Sequence, residues 1–172
     1  PEVMYADRTG LAGDTEKYSA IGIGSGLGTS ALEMELLEMV LRLKRALVMD
    51  ADALNLMGKH PDLQALISPG SVLTPHMKEF DRLFGNHNSW WDRLTTARQQ
   101  AIKYGCIIVL KNEYTFIVNA EGKVAINPTG NPGMAQGGMG DVLTGIVTAY
   151  LAQGLPAWEA AIAACYLHGQ SG

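Results

Sequence analysis

The sequence predicts an α/β fold, a mostly parallel sheet covered by helices on both faces. Three observations carry this expectation. Short apolar strands alternate with amphipathic helices along the 172 residues. The strands, above all "CIIVLK", are almost wholly apolar rather than alternating, as strands buried on both faces are. One interruption, "YTFIVNAEGKVAINP", reads as a hairpin, because "NAEGK" suits a tight reversal between two strands.

The elements follow in order. "YSAIGIG", Tyr18 to Gly24, reads as a strand that runs into the glycine turn "GSGLGTS" and then a helix from about Ala31 to Arg45. Ser30 with Glu33 forms a capping-box pattern at that helix start. "RALVMDADALN" places a buried strand near Ala46 to Met49, ending in acids. "GSVLTPHMKEFDRLFG" adds a short strand and a helix. "WWDRLTTARQQAIKYG" is a further helix stopped at Gly105, before the strand near 106–110 and the hairpin. Two last helices are expected at about Gly140 to Gln153 and Pro156 to Leu167, separated by a Gly154 stop and a Pro156 start. No linker, repeat or low-complexity tract divides residues 1–172, which read as a single domain.

Composition excludes several classes of function. Thirteen basic residues stand against 17 acidic ones, a formal charge of −4 with no basic run; nucleic acid is not an expected partner. Apolar runs are too short to cross a bilayer, so no membrane partner is expected. Cys106 and Cys165 lie in apolar surroundings without CxxC spacing, which points to buried thiols and a reducing, cytoplasmic compartment.

Four stretches sit where strands enter helices, the place where open α/β sheets gather ligands. In "GIGSGLGTS" the glycines permit either contact with an anion or simply a tight turn, and their spacing is not a dinucleotide fingerprint. In "MDADALN", Asp50 and Asp52 could orient magnesium through water, or could cap the following turn. In "LTPHMKEF", His76 is presented at a strand end, as a substrate contact or as an ordinary surface histidine. His60 and His87 lie in polar loops and His168 at a helix end, and no two histidines have metal-ligand spacing.

The fourth stretch is "NPGMAQGGMGD". Gly137, Gly138 and Gly140 place bare amides at a helix start, an anion hole suited to a phosphoryl group in transit. Asp141 beside them could take the proton of a hydroxyl attacking phosphorus, or could merely favour the helix N-terminus.

"NPGMAQGGMGDVLTG", with "GSGLG", "DADALN", "TPHMKEFDRLFG" and "VLKNEYTFIV" in the same order, closely resembles the ADP/ATP-dependent NAD(P)H-hydrate dehydratases, a branch of the ribokinase-like fold. The resemblance covers about Ser19 to Gly172. It implies an enzyme of metabolite repair that uses ADP or ATP, with Mg2+, to drive water from the S epimer of NADHX or NADPHX. It implies that Gly28, His76 and Asp141 contact the hydrated dinucleotide, with Asp141 the catalytic base. Lys111, Asn112, Glu113, Tyr114 and Thr115, with Gly140, would line the nucleotide site. A homo-oligomer is implied as well. Two departures stand out. Bulky Glu113 and Tyr114 replace small residues of the family pattern, and family domains are longer, so the chain is expected to be a fragment lacking N-terminal strands. The rival expectations are a small-molecule kinase of the same fold and a nucleotide-binding module without catalysis of its own.

Overall fold

The computed structural model describes residues 15–172. Six strands form one sheet in the order β1 to β6: β1 (Ile21–Ile23), β2 (Leu47–Met49), β3 (Val72–Leu73), β4 (Ile107–Leu110), β5 (Thr115–Val118) and β6 (Val124–Asn127). The first four pair in parallel and the last three form an antiparallel meander. The helices are α1 (Ala31–Leu41), α2 (Ala51–Lys59), α3 (Met77–Phe84), α4 (Trp90–Tyr104), α5 (Met139–Ala152) and α6 (Ala157–Gln170).

Strand order explains which helix covers which face. Every crossover among β1 to β4 steps in the same direction, and a right-handed crossover then puts its helices on one side. Thus α1 to α4 pack on the face formed by Leu47, Met49, Leu73, Ile108 and Leu110. The alternate residues Val48, Val72, Ile107 and Val109 point the other way and pack under α5 and α6. This two-sided burial is why the strands carry no polar alternation. Each fully buried leucine, such as Leu54 or Leu73, contributes about 2 kcal/mol through removal of its surface from water.

Local signals account for most boundaries. The Ser30 amide donates to the Glu33 carboxylate at 3.1 Å, completing the expected capping-box contact at α1. Gly105 adopts φ 63° and ends α4 in the left-handed conformation. At the hairpin the Asn119 side chain accepts from the amides of Glu121 and Lys123. The expected helix to Arg45 ends earlier, at Leu41, since Lys44 takes φ 53° to turn the chain into β2. The first strand is likewise shorter than Tyr18 to Gly24, because only Ile21–Ile23 has a partner strand. A 3-10 turn over Pro61–Leu66 was not expected; His60 and Pro61 start it.

Candidate functional site

Because β1 to β4 are parallel, their carboxyl ends open on one edge of the sheet, and the chain leaves each there through a turn rich in polar groups. After β1 comes the glycine turn. Gly24 has φ 130°, and a Cβ there would lie 1.8 Å from the Asp50 carbonyl oxygen, so only glycine lets the turn pass across the end of β2. After β2 comes Asp50, 2% exposed. It occupies the position before α2 without capping that helix by its side chain. Its carboxylate instead accepts from Lys111 Nζ at 2.9 Å and from Thr144 Oγ1 at 3.1 Å.

These two bonds join three distant elements. Lys111 follows β4, and Thr144 lies one turn inside α5. A buried carboxylate needs such partners, because an unpaired charge there would be strongly disfavoured. Gly140 lies directly over the pair: a Cβ on it would come within 3.3 Å of both Asp50 Oδ2 and Lys111 Nζ. The last glycine before Asp141 therefore admits the first turn of α5 to the ion pair.

The neighbouring Gly137 and Gly138 face open space, with nothing within 4 Å of a built Cβ. Gly138, at φ 92°, turns the chain into α5. Asp141 is exposed in the first turn. Among the described residues its carboxylate has no hydrogen-bonding or ionic partner.

Asp52 is separated from Asp50 by Ala51, whose φ of 45° is strained for a residue with a Cβ. Its Oδ2 accepts the Gly28 amide at 2.9 Å, which ties the glycine turn to α2. The two acids thus serve different partners, contrary to their reading as a shared magnesium site or as a pair of caps. Among the described residues no three His, Cys, Asp or Glu side chains are placed to hold a metal.

His76 is the residue before α3 and caps it. Its Nδ1 accepts from the amides of Lys78 and Glu79 at 3.1 and 3.3 Å, while Glu79 accepts the His76 amide at 2.8 Å. This use of Nδ1 leaves the proton on Nε2, which lies 3.3 Å from Glu79 and is part of a half-exposed ring. His76 also pairs with Lys111 as an isolated parallel bridge, so the two lie side by side. Asn112, Glu113 and Tyr114 form the exposed turn that leads to Thr115 at the start of β5.

Sequence reasoning missed Thr144 and set His168 aside as a helix-end histidine. Thr144 could have been found from its position four residues after Gly140, on the same side of a helix. His168 carried no local signal. Burial holds its imidazole below the ordinary value and the nearby Lys111 charge adds to this, while the Met139 backbone acts in the opposite sense. Its Nε2 is buried without a hydrogen-bond partner. Only the packing of α6 beneath Lys111 brings it to the site.

The profile of the NAD(P)H-hydrate dehydratase family matches residues 1–172. The chain belongs to that family. A bifunctional NAD(P)H-hydrate repair enzyme from Mycobacterium leprae is 37% identical over 99% of the chain, which spans 35% of that relative's length. A ribokinase-like protein from Enterococcus faecalis superposes with a TM-score of 0.82 and 36% identity, over 93% of this chain and 56% of that one. The ADP/ATP-dependent NAD(P)H-hydrate dehydratase from Bacillus subtilis, co-crystallised with ATP and Mg2+, gives a TM-score of 0.74 and 32% identity over 89% of this chain and 54% of that one. The fold is therefore ribokinase-like, and the chain spans about a third of the length of the first of these relatives and about half that of the two solved structures.

Proposed function

We propose that the protein dehydrates the S epimer of NADHX or NADPHX, consuming ADP or ATP and restoring the reduced nicotinamide. The observation that carries this reading is the start of α5: Gly137 and Gly138 bordering open space, an unpartnered Asp141 carboxylate beside them, and the Asp50–Lys111 pair beneath Gly140. The relatives' names support the same chemistry.

Asp141 takes the proton of the C6 hydroxyl as its oxygen attacks the terminal phosphorus of the donor. An O–P bond forms and the bond to the departing nucleotide breaks. The amides of Gly137, Gly138 and Gly140, at the positive end of α5, stabilise charge on the transferring group. The ring nitrogen then expels phosphate from C6, and loss of a C5 proton restores the double bond. Phosphate leaves where hydroxide would not. Gly28 and His76 contact the hydrated ring, with the Nε2 hydrogen of His76 as donor. Lys111 to Thr115 line the nucleotide.

Magnesium fits this site only as a companion of the nucleotide. Asp50 is committed to Lys111 and Thr144, and Asp52 binds Gly28, so the described residues offer no carboxylate cage. Mg2+ habitually enters with substrate phosphates and few protein ligands, and there it would neutralise phosphate charge.

We also place the chain within a longer ribokinase-like domain of a cytoplasmic homo-oligomer. Burial pushes the thiols of Cys106 and Cys165 up to about 12, which suits inert cysteines in a reducing compartment. Ile126 and Trp91, 60% and 61% exposed, offer apolar surface for a second copy. No helix among the described residues is long and apolar enough to cross a membrane.

The test is incubation with NADHX, ADP and magnesium while the near-ultraviolet absorbance of NADH is followed. A rising signal that requires both substrates is expected. A flat trace from the full-length protein, under conditions where it binds ADP, overturns the reading.

A further inference from the structure

Helices α2 and α3 cross closely beside the glycine turn. Gly58 makes this possible, since a Cβ there would lie 2.8 Å from the Arg82 carbonyl oxygen. Between the two helices and the turn opens a cleft of about 390 Å³, lined by Thr29, Asn55, Gly58, Lys59 and Arg82. That volume suits part of a small-molecule ligand.

The polar groups of the cleft are cationic and held by neutral oxygens. Arg82 Nη1 donates to Asn55 Oδ1 at 2.9 Å, and Lys59 Nζ donates to Thr29 Oγ1 at 3.4 Å. Among the described residues neither cation has a carboxylate partner, although acids outnumber bases 17 to 13 in the chain. Two uncompensated cations across one cleft favour an anion. A guanidinium fork beside an ammonium suits phosphate oxygens in particular.

Position narrows the identity of that anion. Asp52, Asn55 and Lys59 are spaced i, i+3 and i+7, one stripe of α2. The glycine turn runs along this stripe, with the Gly28 amide on Asp52 and the Thr29 hydroxyl on Lys59. Arg82 is carried by α3, the helix that His76 caps. The cleft thus adjoins both elements that bear the proposed substrate contacts. Along α2 it extends from Asn55, about 5 Å from Asp52, to Lys59 at about 10 Å, and the Lys59 end is at a reach comparable with that from a nicotinamide ring across its ribose to the pyrophosphate.

We propose that Lys59 and Arg82 bind the pyrophosphate of the dinucleotide substrate in the cleft between α2 and α3. This rests on the reading of the substrate as a hydrated nicotinamide dinucleotide. The site is distinct from the donor site around Lys111, and it recognises the part of the substrate that does not react.

ADP-ribose carries that pyrophosphate without the nicotinamide, so it serves as the probe in calorimetric titration of the wild type and of Lys59→Gln, Arg82→Gln and the double variant. Each single change is expected to weaken ADP-ribose binding about tenfold and to reduce its salt dependence, while ADP binding stays as in the wild type. Arg82→Lys, which keeps charge but loses the fork, should fall between. The proposal is overturned if the double variant binds ADP-ribose like the wild type, or if it loses ADP to the same extent. The two readings separate cleanly. Charge-dependent ADP-ribose binding without NADH formation leaves the cleft standing and sinks the dehydratase; NADH formation with an unmoved KM for the hydrate in the double variant does the reverse.

Discussion

The Asp50 carboxylate holds the Lys111 ammonium at 2.9 Å beneath Gly140, so that one ion pair joins the ends of β2 and β4 to the first turn of α5. Asp50 is almost wholly enclosed and Lys111 largely so, with side chains 3% and 21% exposed. In such a setting the pair matters less for net attraction than for what its removal leaves behind.

Lys111→Met leaves a buried carboxylate with only the Thr144 hydroxyl. A loss of about 3 kcal/mol is expected, read as a lower urea midpoint with unchanged slope. Asp50→Asn in the same background should recover part of that loss, since it removes the orphaned charge. No recovery would mean that the pair is not coupled as the geometry indicates.

Gly140→Ala places a methyl 3.3 Å from both charged atoms. The first turn of α5 must shift, at a cost of about 1–2 kcal/mol. Gly137→Ala meets nothing within 4 Å and should change stability by less than about 0.5 kcal/mol. Thermal melts of the two variants make the comparison, and equal losses would contradict the close approach at Gly140.

Asp141→Asn keeps shape and helix position but cannot accept a proton. Turnover of the hydrate should fall by about 10²–10⁴-fold, with ADP affinity retained. Near-normal turnover would remove Asp141 from the role of base.

The loop between α3 and α4 is fastened by Asp81, which receives Arg93 through two nitrogens and lies 2.8 Å from His87 Nδ1. Burial pushes the Asp81 carboxyl up, but bonds from Arg93 and His87 and their charges outweigh it and hold the carboxyl below its ordinary value. A depressed carboxyl contributes stability that is full above the unfolded value of about 3.9 and is lost as pH falls through the lower folded value. Melting temperatures measured from pH 5 down to about 2 should therefore drop steeply in the wild type and less steeply in Asp81→Asn. Parallel curves for the two would exclude Asp81 as a source of acid sensitivity.

Local chemistry made much of this molecule legible. Two-sided strands announce themselves as unbroken apolar runs such as "CIIVL", and Gly105 and the Asn119 turn are stop and reversal signals that act within a few residues. The glycine-rich approach to α5 and the acid in its first turn were readable for the same reason, since a helix start is a local event. Asp50 and Asp52 show where such reading ends. Their spacing suggested one shared role, yet one side chain turns into the protein toward Lys111 and the other reaches the Gly28 amide.

What the sequence determined by itself was therefore the mostly parallel α/β architecture with its hairpin, and a glycine-rich helix start at α5 with an acid in its first turn. Those features follow from periodicity, turn chemistry and helix termini, all of short range. Tertiary structure alone decided that Asp50, Lys111, Thr144 and Gly140 meet, that His168 comes to lie near Lys111, and that Lys59 and Arg82 face one cleft. These residues are up to 94 positions apart, as Asp50 and Thr144 are. Nothing in their neighbours specifies a partner; the side chains meet only because packing closes the sheet and its helices around them.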